Sequence, residues 1–139
     1  MAGVFAGFVV GYAIALVVGP AGAIALVSAN QRSGFAQRMA PPGTNVVALS
    51  VVIHFAAILT FTAIGIVLGM AFAGIDDRRP EAGLGSPNLV YTLLVVALAA
   101  VIFIPVAALP AVRRYALGAA ALFVACFGWA VPWLAQLAN

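Results

Sequence analysis

Four long runs of this chain, residues 1–31, 39–75, 82–112 and 115–139, contain no Asp, Glu, Lys or Arg. All nine of its acidic and basic side chains fall in the three breaks: Arg32 and Arg38; Asp76, Asp77, Arg78, Arg79 and Glu81; then Arg113 and Arg114. An ionised side chain at the centre of a bilayer costs ~2.5 kcal/mol or more on insertion scales, so runs empty of charge are what spanning segments require. Composition excludes the soluble alternative. Charged residues make up 6% of the chain and mean hydropathy is +1.23, whereas a soluble domain carries roughly 25% charge to cover its surface.

The reading is therefore all-α: a polytopic membrane protein folded as one four-transmembrane-helix bundle, with expected spans at 4–28, 46–72, 89–109 and 116–134. Local chemistry sets the boundaries. Polar residues 28–33 followed by Gly34 close the first span, Pro41-Pro42-Gly43 forces a turn, and Thr44 or Asn45 is placed to cap the second helix. Ser86-Pro87 is read as the start of the third, because a proline in the first helical turn loses no hydrogen bond. The short Pro110–Arg114 link makes the last two spans antiparallel neighbours.

Net charge of +3 implies no nucleic-acid partner. The arginines are read as topology signals and lipid-headgroup contacts. Arg32, Arg38, Arg113 and Arg114 outnumber Arg78 and Arg79 across the alternating sides, so loops 29–43 and 110–114 are expected in the cytoplasm and both termini outside. A bacterial cytoplasmic membrane is the expected location. Trp129 and Trp133, one turn apart near the end of the fourth span, fit an interfacial belt.

Gly3, Gly7, Gly11, Ala15 and Gly19 recur every four residues along the first span, and Gly65 and Gly69 repeat that spacing in the second. Such ridges let backbones approach closely, and in lipid this packing replaces the hydrophobic force between helices. The partner is either another helix of the chain or another subunit. Pro20 and Pro105 each remove one intrahelical bond, which reads as a kink or as an opening that lines a site.

His54 is the only Asp, Glu, His, Lys or Arg inside an expected span, with Ser50 one turn before it. An intramembrane histidine serves as a proton relay, a cofactor ligand or a buried polar contact. A haem or chlorin held by two histidines of one chain is excluded by the count of one; ligation through His54 shared with a partner stays open. No nucleophile, metal-ligand or phosphate-loop pattern is present, so no cofactor, metal or enzymatic activity is expected. Enzymatic chemistry would have to draw on His54, Ser50, Thr60, Thr62, Tyr91 and Thr92.

Gly19-Pro20, followed by Ala-Gly-Ala-Ile-Ala-Leu-Val and then Gln31-Arg32-Ser33-Gly34, resembles the first-helix pattern of LysE-type amino-acid exporters. That pattern is an apolar helix with a Pro-Gly-Pro element and an Arg/Gly loop after it. The first proline is missing here, and the likeness stops at Gly34. The resemblance implies an export-like role.

From the residues themselves, two functions are expected. The first is a non-catalytic accessory subunit packed against other integral membrane subunits through Gly3, Gly7, Gly11 and Gly19. The second is a small homo-oligomeric transporter or channel with a path near His54 and Pro20.

Overall fold

The computed structural model describes residues 1–76 and 88–137. Its helices are α1 (Ala2–Ser33), α2 (Phe35–Met39), α3 (Val46–Asp76), α4 (Leu89–Ala107), α5 (Arg113–Ala125) and α6 (Val131–Leu137), with a π-turn at Cys126–Ala130 joining the last two. Among the described residues, four helical segments are long and apolar enough to cross a membrane: α1, α3, α4 and the continuous run Arg113–Leu137. The chain is an integral membrane protein of all-α architecture, a four-span bundle.

α1 is the central helix. Half of its most apolar window is buried within the protein, against 17% for α3 and 22% for α4. α3 lies antiparallel along its length, and α5, the π-turn and α6 pack on it as well. α4 packs chiefly on α5 and meets α3 where Phe72 and Tyr91 stand edge to face, ring centroids 5.2 Å apart. Aromatic side chains fill the space between α3, α4 and α5. Phe123 touches Phe61 at 6.1 Å, Phe103 at 5.8 Å and Phe127 at 4.6 Å between ring centroids.

The helix ends differ in detail from the sequence reading. α1 runs beyond residue 28 to Ser33, where Gly34 turns left-handed (φ 62°) and donates its N–H to the Asn30 carbonyl at 2.8 Å. The Asn30 side chain then accepts from the amides of Ala36 and Gln37, starting α2 inside what was expected to be a loop. Of the two candidate caps for α3, Asn45 does the work, accepting from Val47 at 2.9 Å and Ala48 at 3.3 Å. Thr44 instead closes the proline turn by donating its hydroxyl to the Pro41 carbonyl. Ser86 and Pro87 lie outside the described residues, and the cap of α4 is Asn88, whose side chain accepts from Val90 and Tyr91.

The last span begins three residues earlier than expected, at Arg113, and carries a feature that periodicity does not reveal. The π-turn ends at Ala130, two residues before Pro132, with the Val131 amide reaching back five residues to the Cys126 carbonyl. In a regular α-helix the Pro132 ring would collide with the Gly128 carbonyl and leave it without a donor; widening the preceding turn moves that carbonyl aside. α1, by contrast, continues through Pro20 as unbroken α-helix.

Candidate functional site: the helix seam and the intramembrane histidine

The small residues of α1 and α3 form one interlocked seam. A Cβ built on Gly3 would stand 2.6 Å from the Gly69 carbonyl oxygen, and one on Gly7 or Gly11 would overlap the carbonyl of Gly65 or Phe61. The relation is reciprocal: a Cβ on Gly65 or Gly69 would run into the carbonyl of Gly7 or Gly3. Backbone meets backbone here, so no rotamer change would relieve the overlap. The four-residue ridges thus face each other inside one chain, and Gly3, Gly7, Gly11 and Gly19 are buried against its own helices. They are not an outer face on which another subunit would sit.

One end of the seam holds His54. Its ring lies over Gly19, where a Cβ would come within 2.6 Å of Nδ1. Nδ1 is buried and has no hydrogen-bond partner. Ser50 does not supply one, since its hydroxyl donates to the Val47 carbonyl of its own helix at 2.7 Å. With Nδ1 closed off by Gly19, a proton or a ligand would have to reach this ring at Nε2.

Past Gly19, α1 is tied to α5. The Tyr115 hydroxyl donates to the Val18 carbonyl at 2.9 Å, and the absence of a side chain on Gly22 makes room for it, because a Cβ there would meet the phenol oxygen at 2.6 Å. Sequence reasoning missed this contact. Its partners lie 97 residues apart, and nothing in the local pattern of either helix marks it. Of the other polar side chains in the spans, the hydroxyls of Thr62, Tyr91 and Thr92 are buried without partners.

The four described arginines gather at the end of the bundle opposite the N-terminus, but they do different things. The Arg113 Nε–H donates to the Ala107 carbonyl at 3.1 Å, capping the last turn of α4. Arg32, Arg38 and Arg114 line a cleft between α1, α2 and the link from α4 to α5. At the other end, Met1, Phe72, Asp76 and Ala135 border a smaller cavity. Trp129 and Trp133 both face outward, as an interfacial belt requires.

No family model, curated protein or solved structure matches this chain. The likeness to LysE-type exporters therefore stands on the residues between Gly19 and Gly34 alone.

Proposed function

We propose that this chain is a small non-catalytic subunit of a larger integral membrane complex, in which it supplies a rigid four-span unit rather than a chemical centre. The observation that carries this reading is the filling of its interior. Phe61, Phe103 and Phe127 pack tilted or edge-on against Phe123 between the helices, leaving a single copy with aromatic packing where a solute path would run. Partners meet the outward rows of α3 and α4 rather than the glycine seam. Val52, Phe55 and Leu59 on α3, and Val101 and Ile104 on α4, are the large apolar side chains these rows offer. The arginine-bearing end faces the cytoplasm of a bacterial cell, and both termini lie on the far side.

A photo-crosslinking residue at Leu59 or Val101, activated in native membranes, tests this. The same protein captured from one of these positions in replicate preparations supports the reading; adducts to lipid alone at both positions would sink it.

His54 favours a second reading. An imidazole inside a span, reachable at Nε2, is what a proton or solute path would use, so a homo-oligomer conducting between copies, beside α3 and the Pro20 region, is the alternative. Substitution of His54 by Ala separates the two.

A further inference from the structure

We propose that the arginine end of the bundle binds one anionic glycerophospholipid, with its phosphate in the cleft and an acyl chain in the adjoining groove between α1 and α5. Two cavities that share a wall carry this. The first has a volume of about 810 Å³ and is lined by Arg32, Arg38 and Arg114, with Ser28, Ser33 and Tyr115 among them. Among the described residues no acidic side chain lines it, and the one acid among them, Asp76, is at the other end of the molecule beside Met1. Three guanidinium groups from three elements therefore face one space with no internal counter-charge. Guanidinium matches a phosphate diester through paired N–H donors, and an anion held there would balance the cluster.

The second cavity is about 240 Å³ and apolar, with Val17, Ala21, Gly118 and Leu122 in its walls, and it shares Arg114 and Tyr115 with the first. On α5, Arg114, Gly118 and Leu122 succeed one another at four-residue spacing. They make a stripe that leads from a charge at the helix start to hydrocarbon one and two turns deeper. On α1, Arg32 stands nearest the end of the helix, with Ala21 and Val17 deeper. Gly118 leaves the groove open: a Cβ there would meet nothing within 4 Å. A soluble phosphate would satisfy the cleft but would have no use for the groove. A lipid uses both. Basic pockets between membrane helices are suited to acidic headgroups on general electrostatic grounds. This assignment is independent of whether the chain is an accessory subunit or a transporter.

The test is a titration of the delipidated protein in neutral detergent with phosphatidylglycerol, phosphatidylcholine or glycerol 3-phosphate, counting bound molecules by native mass spectrometry. One phosphatidylglycerol per chain is expected, bound more tightly than phosphatidylcholine, and weakened about fivefold for each of Arg32, Arg38 and Arg114 changed to Gln. Gly118→Leu fills the groove without touching the arginines, so it should weaken phosphatidylglycerol while leaving the helical spectrum and melting temperature in place. Equal binding of the two lipids, or a triple arginine variant that binds like the parent, would overturn the site. Glycerol 3-phosphate binding as tightly as the lipid, or a Gly118→Leu variant with undiminished lipid binding, would overturn the acyl groove and with it the lipid assignment.

Discussion

Gly7 and Gly65 sit back to back across the α1–α3 seam, the carbonyl of each in the space that a Cβ on the other would need. In a membrane, where lipid is as apolar as the helices, such contact between backbones is the main force holding two spans together. The seam sets the close approach of α1 and α3 along their length and fixes which faces remain for the rest of the bundle.

Substitution in the seam should be severe, and substitution just outside it mild. Gly7→Leu has to push two backbones apart and is expected to destabilise the protein by roughly 1–3 kcal/mol or more. Gly74→Ala, in the same α3 but with nothing within 4 Å of its new Cβ, should be neutral or stabilising by up to about 1 kcal/mol, because alanine is the better helix former. Thermal unfolding in mild detergent compares the two. Equal melting temperatures would mean that the seam does not hold the fold.

Tyr115 and Gly22 should be energetically coupled. Tyr115→Phe removes the hydroxyl that donates to Val18, a loss of about 0.6 kcal/mol for a hydrogen bond between membrane helices. Gly22→Ala crowds that same hydroxyl and should cost more in the parent than in the Tyr115→Phe background. A double-mutant cycle on unfolding free energy reads the coupling; strict additivity would rule out the contact.

Asn88 is buried at the start of α4, and its side chain accepts from two backbone amides. Asn88→Ala is expected to cost about 1–2 kcal/mol, in the range for a lost helix cap. Hydrogen exchange should report it locally, with faster exchange at the Val90 and Tyr91 amides and little change in α1. No change at those two amides would contradict the capping role.

His54 separates the two functional readings. For an accessory subunit, proteoliposomes containing the chain should conduct protons no faster than protein-free vesicles, and His54→Ala should change nothing. A proton conductance that the parent shows and His54→Ala abolishes would transfer the argument to the transporter.

The membrane class, the four spans and the small-residue ridges were legible in the sequence because each rests on a one-dimensional pattern: charge-free length, or a residue type repeating every four positions. What the ridges pack against was not. Gly7 carries the same signal whether its partner is Gly65 of the same chain or a glycine of another, and only the three-dimensional register decides. Asn88 escaped notice because Ser86-Pro87 offered a stronger local signal two residues too early. The π-turn before Pro132 was not legible because a proline inside a helix does not announce one: Pro20 and Pro105 lie in regular α-helix. His54 and Ser50 share a helix face, as their spacing requires, yet Ser50 bonds to its own helix and the histidine rests on Gly19.

The most direct test of the central claim is the mass of the complex extracted from its own membrane in mild detergent, measured by native mass spectrometry with subunits released in the gas phase. The accessory reading predicts this chain together with unrelated membrane subunits at a fixed stoichiometry. A clean homo-oligomer, with no other protein present, would contradict it.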